Sequence, residues 1–278
     1  YTRGAEFSRS VQTVMDEAKS LISSGTKEIT LLGQNVNAWH GVGPGGKDWG
    51  LGRLIFALAE LPELERIRYT TSHPLDMDDE LINAHARVNI LMPYLHLPIQ
   101  SGSDKILHAM NRRHTVLEYL NIIDRLRSVR TDIAMSSDFI VGFPGETDKD
   151  FANTLNLIDK VGYASAYSFK YSLRPGTPAA SKSPQVPEDV KSDRLLSLQQ
   201  LLDAQQFAFN KKCEARIFDV LVEQKGQKKG QLHARTPYMQ SVYFDGPENL
   251  IGKMTKIKIS FARKNSLSAE IFNQKEAI

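Results

Sequence analysis

The sequence predicts an α/β chain in two parts, a partial parallel β/α barrel followed by a small all-β barrel of the OB kind. Three observations predict it. Short aliphatic runs alternate with helix-period runs over residues 9 to 171, a Pro- and Ser-rich stretch interrupts the pattern from Pro175 to Pro187, and short alternating strands with turn signals follow. Strands alternating with helices call for a parallel sheet with right-handed crossovers. Five strands in a short tail call for a small closed barrel.

The elements are expected in this order. Val11, Val14, Met15, Ala18, Leu21 and Ile22 stand at helical spacing in a helix over 9–25 that stops at Gly25. A strand over 28–32 ends at Gly33, and the polar run Gln34-Asn35-Val36-Asn37 begins there. His40 to Gly50 holds five glycines and a proline, which predicts an exposed, mobile loop. The alternation then continues with helix 51–61, strand 66–70, helix 77–89, strand 94–97, helices near 103–110 and 115–130, strand 133–141, helix 147–161 and strand 165–171. Asp76, Ser103, Thr115 and Thr147 stand where N-caps belong, and Thr115 with Glu118 predicts a capping box. Pro187 suits the first turn of a long polar helix over 188–210. Strands follow near 213–222, 229–236, 239–244, 254–260 and 267–272. The expected division is 1–175 for the β/α barrel, 176–210 for linker and helix, and 211–273 for the all-β barrel.

Composition narrows the function classes. The chain has one cysteine, Cys213, which excludes a disulfide framework or a multi-cysteine metal site built by these residues alone. That lone cysteine points to the cytoplasm, no apolar run is long enough to span a bilayer, which argues against a membrane role, and the expected state is a monomer. The start at Tyr1, without a leader pattern, predicts a piece of a longer protein. Residues 211–278 carry 13 Lys and Arg against 7 Asp and Glu, leaving 22 against 25 for residues 1–210. A basic tail on a near-neutral body points to polyanion capture, although a well-solvated surface has the same composition.

In β/α barrels the functional groups come from the carboxyl ends of the strands. Here those ends carry Gln34 and Asn35, Ser72 and His73, Gln100 and Ser101, Gly142 to Glu146, then Tyr171, Ser172 and Arg174. Amides, hydroxyls and glycines of this kind suit a polar, nucleotide-like ligand, though turns are polar in any case. Asp138 is the sharper signal, because an acid within Ser-Ser-Asp-Phe-Ile-Val is costly in a buried strand unless it is used. It either faces the mouth or pairs with a nearby arginine. His73 and His96 read as packing residues. The turn from Gly142 to Thr147 is either an anion-accepting helix start or a plain tight turn.

Several strings resemble radical-SAM methylthiotransferases: Tyr1-Thr2-Arg3-Gly4 with Glu6 and Ser8-Arg9, Leu32-Gly33-Gln34-Asn35-Val36-Asn37, Leu97-Pro98-Ile99-Gln100-Ser101-Gly102-Ser103-Asp104, Met110-Asn111-Arg112, Asp138 through Thr147, and Tyr171 through Ala179. The tail, with Ala234-Arg235-Thr236, Phe244-Asp245-Gly246 and Leu250-Ile251-Gly252, resembles a TRAM module. The resemblance implies a (β/α)6 radical-SAM barrel, partial here because its first strand and cluster loop precede Tyr1, followed by an OB-like TRAM barrel. Within the family the tRNA branch is the nearer likeness. That branch adds a methylthio group to isopentenyladenosine beside the anticodon; the alternatives are a ribosomal-protein aspartate enzyme and a non-catalytic RNA binder.

The implied cofactors are S-adenosyl-L-methionine and two 4Fe-4S clusters whose cysteines this chain lacks, so the fragment alone is expected to be inactive. The implied partners are a tRNA anticodon stem-loop and a reductant. By the same resemblance Gln100, Ser101, Asp138 and Gly142 line the cofactor site; Gln34, Asn35 and Tyr171 join them as candidates from their strand ends, and Arg3, Arg112 and Arg113 are candidates for a carboxylate or phosphate, although ordinary surface arginines look the same. In the tail Lys225, Lys228, Lys229 and Arg235 around one hairpin, and Lys253, Lys256 and Lys258 around another, are candidates for RNA, with Tyr238 and Tyr243 to stack on bases. Lysines that protect a barrel edge would look the same.

Overall fold

In the computed structural model, which describes residues 7–70 and 72–272, Ser10 accepts the Thr13 amide and caps helix α1 (Val11–Ser23). Strand β1 (Glu28–Leu31) follows. The glycine-rich stretch after it is a small antiparallel hairpin, β2 (His40–Val42) with β3 (Asp48–Gly50), rather than the expected mobile loop. Its tryptophans pin it: Trp49 packs where a Cβ on Gly43 would lie 2.2 Å away, and Trp39 donates to the Arg9 carbonyl at 3.0 Å.

The alternation continues through α2 (Leu51–Ala59), β4 (Arg66–Tyr69), α3 (Asp79–Arg87), β5 (Tyr94–His96), α4 (Asp104–Ala109), α5 (Val116–Val129), β6 (Ala134–Val141), α6 (Asp148–Val161) and β7 (Ser165–Lys170). Ser103, Thr115 and Thr147 cap their helices, and Thr147 forms a second capping box with Asp150. Helix α3 starts from Asp78 instead of Asp76, because Pro74 first opens a 3-10 turn that contains Asp76.

β1 pairs with β4, and β5, β6 and β7 pair in order, all parallel. The two groups are joined where Ile67 exchanges hydrogen bonds with Ile90 and Met92, at 2.7 and 3.0 Å. The side-chain alternation of strands then divides the partial barrel into two faces. Ile67, Tyr69, Leu95, Met135, Phe139 and Val141 turn outwards and share one apolar core with the helices. Glu28, Arg66, Arg68, His96, Asp138, Ile140, Tyr167 and Phe169 take the alternate, inner positions. No helix among the described residues is long and apolar enough to cross a membrane.

Pro187 stands just outside helix α7 (Glu188–Lys211) as its N-cap residue. Strands β8 (Ile217–Lys225), β9 (Gln231–Arg235), β10 (Ser241–Asp245), β11 (Met254–Ala262) and β12 (Leu267–Ile271) close a barrel in the order β10-β12-β11-β8-β9. Its neighbours are antiparallel except β10 with β12, the OB arrangement.

This barrel docks on the amino-end half of the inner face. Tyr94, Ala134 and Ala164 share an apolar cluster with Phe218, Tyr238 and Val242. Beside them Arg66 and Arg68 are buried, at 1% and 5% exposure, and donate to barrel carbonyls: Arg66 to Asp219 and to Arg235 (3.0 Å), Arg68 to Thr236 (2.9 Å) and Pro237 (3.0 Å). Burial lowers both guanidinium pKa values, and Glu28, 3.0 Å from Arg68 Nε and 3.5 Å from Arg66 Nη1, opposes that shift.

Candidate cofactor mouth and nucleic-acid interface

The carboxyl ends of the parallel strands carry a connected set of polar groups. Asn35 donates to Asp76 at 2.7 Å, and Asn37 exchanges hydrogen bonds with the His73 backbone at 2.7 and 2.8 Å. His73 meets His114 edge to face, with ring centroids 5.3 Å apart. Asn111 takes a left-handed turn (φ 61°) after α4 that leads into Arg112 and His114. Burial, then the neighbouring His73 and Arg112, push the His114 pKa down to about 4. His73 is lowered by burial and Arg112. Arg112 is itself lowered by burial, against the pull of Asp138. Asp138 lies 3.6 Å from His96 Nε2, and His96 meets Tyr167 edge to face at 6.3 Å.

Buried polar atoms without a hydrogen-bond partner collect at this end. Among the described residues they include Asn35 Oδ1, Ser72 Oγ, both ring nitrogens of His114 and the Tyr171 hydroxyl. Unpaired groups of this kind are costly, and a polar ligand that paired them would recover that cost. His73, His114 and Asn37 belong to this mouth although the sequence pattern does not single them out. The signal available was the Asn-Arg-Arg-His run at 111–114, which follows a very short helix.

The other expected site residues fall in different places. Gln34 is exposed and, with Asn35, lines a groove of about 830 Å³ between α1 and the open edge of β1. Gln100 is buried with φ 81° and bridges to β6, donating from its amide to the Asp138 carbonyl at 3.0 Å. Ser101 is fully buried on the helix side, where its hydroxyl lies 3.4 Å from Thr154 and accepts the Ser103 amide. What presses on Gly142 is Lys191 of α7, whose Cγ would lie 2.1 Å from an added Cβ. The turn after Gly142 supplies its own anion: Glu146 accepts the Gly142 amide at 2.6 Å and pairs with Arg194 at 2.8 Å. Burial raises the Glu146 pKa, and these two partners oppose the rise. Tyr171 stacks edge to face on Phe143 at 5.1 Å. Arg113 is exposed on the same loop as Arg112, and Arg3 lies outside the described residues.

On the OB barrel, Lys225 pairs with Glu248 (2.7 Å), Lys256 with Asp219 (2.8 Å) and Arg235 with Glu223 (3.4 Å). Lys228, Lys229, Lys253 and Lys258 are exposed and have no acidic partner among the described residues. Three of these four, Lys228, Lys229 and Lys253, sit at the barrel end where the β8–β9 and β10–β11 connections meet. Tyr238 is not a stacking surface: it is 4% exposed and packs edge to face on Phe209 and Phe218. Tyr243 is half-buried against His233.

The family model described as the radical SAM superfamily matches residues 1–158, more than half of the chain. The chain belongs to the radical SAM superfamily. A TRAM domain model matches residues 211–272, the span of the OB barrel. Two curated relatives named tRNA-2-methylthio-N(6)-dimethylallyladenosine synthase are similar over 98% of the chain, at 58% identity in Rickettsia felis and 56% in Agrobacterium fabrum. The chain spans 61% and 60% of their lengths. Among solved structures, coproporphyrinogen III oxidase from Escherichia coli superposes with a TM-score of 0.48 at 14% identity, over 71% of this chain and 46% of that one.

For this radical SAM chain, the described residues include no group of three or more His, Cys, Asp or Glu side chains placed to hold a metal. Cys213 is buried in the TRAM barrel beside Gln240, and burial raises its thiol pKa. The residues present therefore do not fit a cysteine-held iron–sulfur cluster.

Proposed function

We propose that this chain is the cofactor-binding and RNA-binding part of a tRNA methylthiotransferase that acts on an N6-dimethylallyladenosine next to the anticodon. The observation that carries the reading is the 58% identity, over 98% of the chain, to a relative named for that reaction. That name favours tRNA over a ribosomal protein as substrate. S-adenosyl-L-methionine would supply the radical and the methyl group when bound. Asn35, Ser72, His114 and Tyr171 fit such a ligand, because each has a buried polar atom without a partner at one end of the sheet, and His73 stands against His114 there. Neutral histidines beside the Arg112 guanidinium make that corner suited to a carboxylate. Gln100, Ser101 and Gly142 act one step back: they tie the β5 and β6 loops to α6 and α7 and so fix where the mouth residues stand. The two 4Fe-4S clusters and the reductant of the full reaction fall to residues outside this chain, in the cytoplasm where tRNA is modified.

In the same reading residues 1–175 form the cofactor-binding unit, 176–210 the connector and 211–273 the RNA grip. Lys228, Lys229 and Lys253 hold phosphates, because surface lysines without acidic partners release counterions most readily on binding. Arg235, Lys225 and Lys256 contribute less, each being already paired.

The test is the affinity of this chain for a tRNA anticodon stem-loop, followed by fluorescence anisotropy across a salt series. Lys228→Glu with Lys229→Glu should weaken binding and flatten the slope of log affinity against log salt by about 1.5. Unchanged binding at low salt would remove these lysines from the RNA grip.

A further inference from the structure

We propose that Tyr167 and Phe169 form a specificity wall that recognises the dimethylallyl arm of the substrate adenosine, an inference that rests on the function proposed above. Both residues lie on β7 at successive inner-face positions, in register with Asp138 and Ile140 of β6. Tyr167 is 61% exposed and Phe169 55% exposed. The exposure is particular to this face: Tyr69 and Phe139, aromatic residues at outward positions of the same parallel strands, are 3% and 0% exposed. Two large aromatic side chains side by side, left uncovered next to a half-buried isoleucine, make an apolar patch of the kind that marks a binding surface.

The neighbours of the patch narrow what it would bind. The His96 ring stands edge-on to Tyr167, and His96 Nε2 lies 3.6 Å from the Asp138 carboxylate, so the apolar wall adjoins a polar pair. The amino-end half of the same face is closed by the TRAM barrel through Tyr94, Ala134, Arg66 and Arg68. The occupant that suits this corner has ring nitrogens for the polar pair and an apolar branch to lie along Tyr167 and Phe169. A purine with a five-carbon N6 substituent, the nucleoside in the relatives' name, has both properties. The adenine of the cofactor shares the ring and lacks the branch.

The experiment compares the affinity of the chain for three ligands: an anticodon stem-loop with N6-dimethylallyladenosine, the same RNA with plain adenosine, and S-adenosylhomocysteine. The parent chain should prefer the prenylated RNA. Tyr167→Ala and Phe169→Ala should each reduce that preference about five- to tenfold, with affinity for plain RNA and for S-adenosylhomocysteine unchanged; Phe169→Leu, which keeps apolar bulk, should retain most of it. An equal loss for both RNAs, a preference that survives all the substitutions, a parent chain that binds RNA without preference, or a loss confined to S-adenosylhomocysteine would each overturn the inference while leaving the proposed function standing. A parent chain that binds neither RNA at low salt would overturn both.

Discussion

His85 is fully buried and shares a 2.6 Å hydrogen bond with the Tyr69 hydroxyl, while its Nδ1 has no partner. Burial, helped by Arg130, pushes its pKa down to about 3. The unfolded chain, with an ordinary histidine near 6.5, takes up the proton first. Stability is therefore fully present above pH about 6.5 and declines as the pH falls from there towards about 3, with a slope of up to about 1.4 kcal/mol per pH unit from this one group. Urea unfolding at pH 7 and pH 5 measures it. His85→Leu should flatten that difference even if it lowers stability at both values, and an unaltered difference would show that His85 does not drive it. At this scale the sequence was legible where one residue broke a local pattern: Asp138, an acid in an apolar strand, does turn inwards beside His96. Ser101 and Gly142 were less legible, because the groups they touch, Thr154 and Lys191, come from elements far along the chain. His114 gave only the faint local signal of the Asn-Arg-Arg-His run, since the lack of partners for its ring nitrogens becomes visible only once the loop after α4 and the β4 loop are brought together.

Elements were legible to the extent that their causes are local. Ser103, Thr115 and Thr147 mark their helix starts because a hydroxyl and an amide three residues on suffice to make the cap. Glycine content suggests a loop over 40–50, because the restraint on the hairpin, tryptophan packing across the turn, leaves no mark in composition. Close approach between elements is equally hidden. Gly102 presses on α6, where an added Cβ would lie 2.5 Å from the Thr154 Cα, and its amide donates to the Thr154 hydroxyl at 2.9 Å. Gly102→Ala should consequently cost about 1–3 kcal/mol, because backbone must shift to admit the methyl group. Thermal unfolding checks this, and a melting temperature within a degree of the parent would show that α6 yields freely.

On the scale of the whole molecule, alternation told which residues share a face but not what covers it. Arg66 and Arg68 flanking Ile67 would suit a strand with one solvated side; instead the TRAM barrel covers that side and takes their hydrogen bonds on its backbone carbonyls. Glu28 is the acid in contact with both arginines, so Glu28→Gln leaves the two buried guanidinium groups only the weaker pull of Asp219 on Arg66 and Glu223 on Arg68. The expected loss is about 3–5 kcal/mol. Hydrogen exchange should show faster opening of β8 and β9, whereas opening confined to β1 would mean the barrel stays docked without it. Because the contact is made with main-chain oxygens, no side-chain substitution on the TRAM side can simply delete those acceptors. The gap between the lysine tip and the aromatic wall is consequently set when the chain folds, in the manner of a caliper locked at one opening. If RNA is held at both places, as proposed, it would have to bring the right curvature with it, and one whose stem is a base pair longer or shorter would present its loop out of step.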